Sequence, residues 1–307
     1  MKQSIIKSVC AGFYLMASLA VTHCFSQELE SDLLKMMPEI PNEITEPSQR
    51  AEYLVTHFWD KFNFRDTSFL MTNHLLERSF VEYIDLLSLV PVDTRDQSVR
   101  LFLKKSEQEE RSQFIYILKL SEQYLYDMES PLCNEEQLIP FLQYAVQSPQ
   151  LNDVEKFSKN YLLNCISKNR IGHSANDFAY TLINGETGTL HTIKADYTLL
   201  YFNDPECDDC RMLIKRLIAS PVINQHIQSE KLKIIAFYVN DDLESWKKHA
   251  PDVLDSWIYA YDAEQKINEE IVYDIKQFPT LYLLDRDKKV IFKDINFEIL
   301  EEYFKSL

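Results

Sequence analysis

The sequence predicts an all-α N-terminal domain followed by an α/β domain with one mixed central sheet flanked by helices. Residues 27–171 contain no glycine, whereas Gly172, Gly185 and Gly188 follow in close succession. Apolar residues recur at helical spacing in the glycine-free part, while short apolar runs alternate with helical patterns after it. Strands that alternate with helices are typical of an α/β layer architecture.

The N-terminal residues have the composition of a signal peptide. Two lysines precede Ser8–Val21, an apolar stretch that is rich in small residues and short for a membrane span. Cleavage after Ser26 would remove residues 1–26 and leave the protein in the periplasm or another exported compartment. An uncleaved anchor and a lipid-modified Cys24 stay open as alternatives, although membrane attachment is not the favoured interpretation.

The composition is that of a folded, acidic protein. Hydrophobic residues make up 46% of the 307 residues and charged residues 26%, with a formal net charge of −16. This balance fits a globular protein rather than a disordered one. Because such a surface repels phosphate groups, binding to nucleic acid is not expected.

Five apolar stripes predict helices in the first domain, which we expect to cover residues 27–170. The fourth stripe contains Pro140, so that helix is expected to begin close to the proline. The stripes are Leu54-Phe58-Phe62, Leu76-Phe80-Val81-Ile84-Leu87, Phe114-Ile115-Leu118-Leu125, Leu138-Phe141-Leu142-Ala145 and Phe157-Tyr161-Leu162-Cys165.

The second domain, residues 171–307, is expected to begin with a hairpin around Asn184-Gly185, formed by Phe178–Ile183 and Thr189–Ile193. Further strands are predicted at Tyr197–Phe202, Leu232–Val239, Trp257–Tyr261, Leu281–Leu284 and Val290–Phe292. Helices are predicted at Met212–Ile218, Leu243–His249, Ile267–Ile275 and Phe297–Leu307.

The segment Cys207-Asp208-Asp209-Cys210 lies where a buried strand meets an amphipathic helix. Two cysteines at this spacing can close a small disulfide ring. The first cysteine lies near the positive end of the helix dipole, which favours its thiolate, whereas the second lies one turn inside. We therefore predict that Cys207 attacks a disulfide and that Cys210 resolves the resulting mixed disulfide.

From Ile171 to Leu307 the sequence resembles the thioredoxin fold, in particular exported thiol-disulfide oxidoreductases of the TlpA/ResA type. Three features carry the resemblance. The cysteine pair stands between a strand and a helix, Phe278-Pro279-Thr280 leads into a strand, and a hairpin and a helix close the chain. The helical part resembles an uncharacterised domain found ahead of thioredoxin-like domains, through Arg50–Leu54 and Phe58–Asp60.

The resemblance implies an enzyme that exchanges disulfides with client proteins and receives electrons from an unidentified donor. Such an enzyme needs no cofactor for this chemistry. By the same likeness Pro279 would be cis, and the backbone of Phe278 would pair with an extended client segment beside the cysteines. The helical domain would recruit or orient a partner, since the likeness gives it no activity of its own.

The sequence departs from the family pattern beside the cysteines. Glu206 stands where relatives usually have tryptophan, and Asp208 and Asp209 lie between the two cysteines. Each carboxylate opposes formation of the Cys207 thiolate, by about 0.3–1 kcal/mol for an exposed charge at a helix N-terminus. We therefore expect these residues to tune the pair towards a reductant or an isomerase rather than a strong oxidant.

Other readings of the cysteines remain open. Cys133 and Cys165 form either a structural disulfide or two buried thiols. A metal site at Cys207 and Cys210 is not expected, because the chain has no second cysteine pair at this spacing and no histidine beside the first. The competing function is a redox-silent exported binding protein that uses the thioredoxin fold as a scaffold.

Overall fold

A computed structural model describes residues 37–66 and 75–307 of the chain. The predicted signal peptide, residues 1–26 with its cleavage point after Ser26, lies outside these described residues. The chain divides into two compact units, Met1–Tyr144 and Ala145–Leu307. In the described part of the chain, no helix combines the length and the apolar character needed to cross a bilayer.

The first unit is helical. The helix Arg111–Leu125 starts directly after the helix Val92–Glu109, at an extended Glu110 whose carboxylate accepts the N–H of Ser112 and caps the later helix. The helices of this part of the chain are α1 (Pro47–His57), α2 (Leu75–Leu87), α3 (Val92–Glu109), α4 (Arg111–Leu125) and α5 (Glu135–Gln147), the last of which runs past the division.

Aromatic side chains form much of the first unit's core. The ring of Trp59 stacks on that of Phe102, with centroids 4.1 Å apart and planes 8° apart. Helix α1 ends at His57, so Phe58 and Phe62 lie in the turns that follow and are nevertheless buried. The first stripe therefore predicted the burial of Phe58 and Phe62 correctly, whereas Leu54 is only half-buried. It also extended the helix too far, because these two rings reach the core from irregular backbone.

Helix α3 was missed by the apolar pattern, because half of its buried face is polar. Ser98 and Ser106 are buried beside Val99 and Phe102. The hydroxyl of Ser98 donates to a backbone carbonyl of α1 at 2.8 Å and shares a second hydrogen bond with Tyr83 Oη, also 2.8 Å long. Buried polar groups that are hydrogen-bonded in this way carry no hydrophobic signal.

Helix α5 begins at Glu135, more than one turn before Pro140. The expectation that this helix starts close to the proline is wrong, since Pro140 lies inside it. Proline has no N–H to donate to the preceding turn, and apolar burial offsets that loss. The neighbouring residues Leu138, Phe141 and Leu142 are all buried.

The second unit contains one seven-stranded sheet in the order β2-β1-β5-β4-β3-β6-β7, in which β3 is parallel to β4, β4 is parallel to β5 and the other pairs are antiparallel. The strands are β1 (Ala179–Leu182), β2 (Thr187–Thr189), β3 (Tyr197–Asn203), β4 (Leu232–Tyr238), β5 (Ile258–Tyr261), β6 (Thr280–Leu284) and β7 (Val290–Lys293). The helices are α6 (Asp153–Ile166), α7 (Asp208–Ala219), α8 (Pro221–Gln228), α9 (Leu243–Lys248), α10 (Lys266–Glu269) and α11 (Phe297–Lys305).

Both faces of this sheet are covered. Along β3, Leu199 and Tyr201 belong to one hydrophobic cluster, while Leu200 and Phe202 belong to the other. This alternation follows from the two-residue period of a strand, and burial on both faces explains why β3 is largely apolar. Helix α7 packs on the first face and so fixes the position of its own N-terminus.

Several predicted boundaries in the second unit differ from the structure. The hairpin's second strand, β2, ends at Thr189, where a 3₁₀ turn begins, rather than starting there. The predicted helix Ile267–Ile275 is reduced to α10, because Ile271 adopts a positive φ of 49° and the chain then continues irregularly. Helix α8, capped by the hydroxyl of Ser220, was not predicted.

The compact units divide earlier in the chain than the domain boundary expected at residue 170. The residues that follow α6 bond to the segment after α10: Lys168 Nζ donates to the carbonyls of Glu270 and Ile271 at 2.9 and 2.7 Å. Asn169 Nδ2 donates to the carbonyl of Val272 at 2.8 Å. These bonds attach α6 to the second unit, although the sequence placed it in the helical domain.

Candidate functional site

Cys207 is the N-cap residue of α7, at the end of the loop that follows β3. Its Sγ accepts the backbone N–H of Cys210, with the nitrogen 3.3 Å away. The side chain is half-buried, so its sulfur is not sealed in the core. Unpaired N–H groups and the positive end of the helix dipole meet at this position, and both favour a thiolate there.

Cys210 lies in the first turn of α7 and is only 1% exposed. Burial raises the pKa of its thiol to about 12, and the neighbouring Cys207 adds to this effect. The buried hydroxyl of Tyr201 donates to the Cys210 carbonyl at 2.8 Å and ties the turn to β3. Because Cys210 keeps its proton at neutral pH, the site favours Cys207 as the attacking thiol.

The loop before β6 brings Phe278 and Pro279 to the cysteines. The thiol of Cys207 donates to the carbonyl oxygen of Phe278, which lies 3.7 Å from Sγ. The Phe278–Pro279 peptide bond is cis, the isomer that the resemblance implies for Pro279. Since a thiolate has no proton to donate, ionisation of Cys207 would free the Phe278 carbonyl to accept a hydrogen bond from a client backbone.

Glu206 is held by residues of α9 and the residue after it. Its Oε1 accepts the hydroxyl of Ser245 at 2.8 Å and lies 3.4 Å from Nε2 of His249. These two contacts, the serine first, lower the pKa of the Glu206 carboxyl. Lys248 Nζ lies 4.0 Å from the same oxygen. The carboxylate is thus kept ionised while the ammonium of Lys248 offsets part of its charge.

The two aspartates between the cysteines differ in their surroundings. Asp208 forms an ion pair with Arg211, whose guanidinium also donates to the carbonyl of Pro205 at 3.0 Å. Asp209 is exposed, and no ion pair forms at it among residues 37–66 and 75–307. The expected opposition to a Cys207 thiolate therefore rests mainly on Asp209, because Glu206 and Asp208 have cationic neighbours.

Cys133 and Cys165 do not form a disulfide in the structure, and they belong to different compact units. Cys133 is exposed and its thiol donates to the carbonyl of Leu125 at 3.7 Å. Cys165 is buried, and its pKa is raised by burial and by Asp274. The alternative of two buried thiols is therefore wrong for Cys133, which follows a surface turn at Ser130.

Sequence reasoning missed several residues of the site. Arg211 could have been found, since Asp208 and Arg211 are three residues apart on one helix. Ser245 and His249 carried no local signal, because they reach Glu206 across 39 and 43 residues. The same holds for Asn240, which donates to the Asp204 carboxylate at 2.9 Å. No group of three His, Cys, Asp or Glu side chains that could hold a metal ion occurs in the described parts of the chain.

Comparison with known proteins finds a separate family match in each half of the chain. Residues 18–169 match a domain of unknown function, DUF5106, and residues 195–290 match a family described as thioredoxin-like. A crystal structure of a thioredoxin-like protein from Bacteroides caccae ATCC 43185 is 39% identical, with a TM-score of 0.81. The match covers 88% of this chain and 97% of that one. The chain belongs to the thioredoxin-like family.

Two shorter structures also match part of the chain. The C-terminal domain of an uncharacterized protein from Bacteroides fragilis NCTC 9343 is 43% identical over 45% of this chain and 98% of that one, with a TM-score of 0.44. The thioredoxin domain of a thiol-disulfide oxidoreductase from Bacteroides vulgatus is 20% identical over 45% of this chain and 96% of that one, with a TM-score of 0.39. No curated protein matches the chain.

Proposed function

We propose that this protein is an exported thiol-disulfide oxidoreductase that exchanges disulfides with client proteins through Cys207 and Cys210, as a reductant or an isomerase. The observation that carries the proposal is the contrast between the two thiols. Cys207 is half-buried at a helix N-terminus, whereas the adjacent Cys210 is buried and has a pKa of about 12. This is the arrangement that an attacking and a resolving thiol require.

The reaction begins when the Cys207 thiolate attacks one sulfur of a client disulfide. A bond forms between that sulfur and Sγ of Cys207, and the client's second sulfur leaves as a thiolate and takes up a proton. The Cys210 thiol then loses its proton and attacks Sγ of Cys207. The client leaves with two thiols, having gained two electrons, and the protein retains the Cys207–Cys210 disulfide until a dithiol donor reduces it.

Two features support the neighbourhood of Phe278 and Pro279 as the place where a client segment lies. The Phe278 carbonyl accepts the Cys207 thiol in the reduced protein, so it is within reach of any sulfur bonded there. Phe278 itself is only partly buried. A client backbone N–H could replace the thiol as the donor to this carbonyl once the mixed disulfide has formed.

The test uses insulin, a soluble protein with accessible disulfides, as the probe. Reduced Cys210→Ala protein should form a covalent complex with insulin that runs as a single band on a non-reducing gel, with the bond located at Cys207 by mass spectrometry. Wild type with dithiothreitol should reduce insulin without accumulating this complex. Cys133→Ser serves as the matched control, because Cys133 is an exposed thiol outside the pair.

Absence of the complex in the Cys210→Ala protein, together with no insulin reduction by the wild type above the dithiothreitol background, would contradict the proposal. That result would instead support the redox-silent binding protein. A complex linked through Cys133 rather than Cys207 would equally contradict it, since the reacting sulfur would then lie outside the site.

A further inference from the structure

Helix α9 offers a fixed support beside the cysteine loop. Its Trp246 is fully buried and stacks on Tyr259, with ring centroids 4.9 Å apart and planes 17° apart. The hydroxyl of Tyr259 donates to the carbonyl of Trp246 at 2.8 Å. Asp242 caps the helix by accepting the N–H of Ser245 at 3.0 Å. The helix is therefore anchored from the core side, which fixes the starting points of the side chains that reach Glu206.

His249, the residue after α9, lies between two carboxylates. Its Nδ1 is 2.9 Å from an oxygen of Asp252, and its Nε2 is 3.4 Å from an oxygen of Glu206. The side chain is 19% exposed. A neutral imidazole carries one N–H and can donate to only one of these oxygens, whereas an imidazolium donates to both. Both contacts can therefore be hydrogen bonds at the same time only when His249 is protonated.

We propose that His249 is a positioning residue for the reaction at Cys207. As an imidazolium it joins Asp252 to Glu206 and so fixes the loop immediately before the attacking thiol. It also places a positive charge beside the carboxylate that precedes Cys207. This inference rests on the proposed function, because it concerns the reactivity of the same sulfur.

The charged groups around His249 come from three elements. Glu206 belongs to the cysteine loop, Asp252 to the 3₁₀ turn that follows α9, and Lys248 to α9 itself, 4.0 Å from Glu206. Two carboxylates lie beside this ring and one ammonium lies beside Glu206, so loss of the ring's proton leaves an excess of negative charge. That excess opposes a thiolate at Cys207 and weakens the hold on Glu206.

The direction in which pH changes the reaction rate of Cys207 follows from these charges. At a pH low enough for His249 to be protonated, the wild type should react faster than a variant without the imidazole. As pH rises and the ring loses its proton, the advantage should disappear. A thiol that titrates alone gives a logarithm of rate that rises by one per pH unit below its pKa, so the wild type should rise less steeply across this range.

The experiment measures alkylation of Cys207 by iodoacetamide between pH 5 and 8 in the reduced full chain, with the modified cysteine located by peptide mass spectrometry. His249→Gln should react about two- to fivefold more slowly than wild type at the low end and equally at the high end, with unit slope. His249→Arg carries a permanent charge and five donors, so it should keep the faster rate at every pH, also with unit slope. His226→Gln, outside this network, is the matched control.

A second comparison separates positioning from general stabilisation. In a Glu206→Gln background the His249→Gln change should lose most of its effect, because the imidazolium acts through the Glu206 carboxylate. Identical slopes in wild type and His249→Gln, or a full effect of His249→Gln without the Glu206 carboxylate, would overturn the inference. Failure of Cys207 to react in every variant would instead overturn the proposed function.

Discussion

Cys207 and Cys165 are two cysteines of the same unit that lie at opposite ends of their helices. Cys207 caps the N-terminus of α7 and accepts an N–H, whereas Cys165 lies in the last turn of α6, where the helix dipole opposes a negative charge. Burial and Asp274 raise the pKa of Cys165 further. The two cysteines therefore differ in helix end and in burial although they are the same residue type, and these two factors govern how readily a thiol ionises.

The largest expected effect tests this comparison directly. Cys207→Ser should lower insulin reduction by at least about 10³-fold, because a hydroxyl is a far weaker nucleophile than a thiolate at neutral pH. Cys165→Ser should leave the rate at the wild-type value, since that thiol takes no part in exchange. If both substitutions lower the rate of insulin reduction to the same extent, the expected difference in reactivity between Cys207 and Cys165 is contradicted.

A second prediction concerns pH. With a pKa of about 12, Cys210 carries about 10⁻⁴ of its population as thiolate at pH 8, so iodoacetamide should modify it about 10³-fold more slowly than a free cysteine. The difference should narrow as pH rises towards 12, because the folded-state thiol then ionises. Peptide mass spectrometry of the reduced protein measures the extent of alkylation at Cys207 and at Cys210 separately. Modification of Cys210 at the rate of a free cysteine would show that burial does not protect it.

A smaller effect is expected on stability. Tyr201→Phe removes the hydroxyl that donates to the buried carbonyl of Cys210, which should lower the free energy of unfolding by about 1 kcal/mol. Tyr161→Phe is the matched change beside Cys165, where the ring is half exposed, and it should cost less. Urea unfolding of both variants measures the difference. Equal losses of unfolding free energy would mean that the hydrogen bond from Tyr201 does not stabilise the turn at Cys210.

The smallest predicted effect separates the two aspartates between the cysteines. Asp209→Asn should raise the alkylation rate of Cys207 by about twofold at pH 7, because it removes an exposed charge that has no ion-pair partner among the described residues. Asp208→Asn should change the rate less, since Arg211 already balances that carboxylate. The reverse order would show that the Asp208–Arg211 pair does not screen the thiol.

Much of the second unit could be predicted because local sequence determines it. Leu232–Tyr238 is apolar apart from Lys233, since both faces of the sheet are covered, and this pattern identified a buried strand without any knowledge of its neighbours. The cysteine pair and the helix after it could likewise be predicted from neighbouring residues alone. Thus the strand, the turn and the helix that hold Cys207 followed from residues within one stretch of sequence.

Features that depend on distant contacts could not be predicted in this way. The predicted helix Ile267–Ile275 failed because Val272 and Tyr273 pack on the sheet from irregular backbone after a positive φ at Ile271. Helix α3 was missed because part of its buried face consists of serines. Their hydroxyls form hydrogen bonds inside the protein, and serines add no apolar residue to the pattern. His249 reaches Glu206 through the fold alone, so no spacing in the sequence could have joined them.

Redox titration of the folded protein in glutathione buffers shows whether Cys207 and Cys210 form a redox-active pair, with thiols trapped and counted by mass spectrometry. Cys207 and Cys210 should change together between dithiol and disulfide while Cys165 stays a thiol. The midpoint should lie well below the value of about −120 mV that is typical of a strong oxidant. A pair that stays reduced across the whole range, or that titrates near that oxidising value, would contradict the proposed exchange at Cys207.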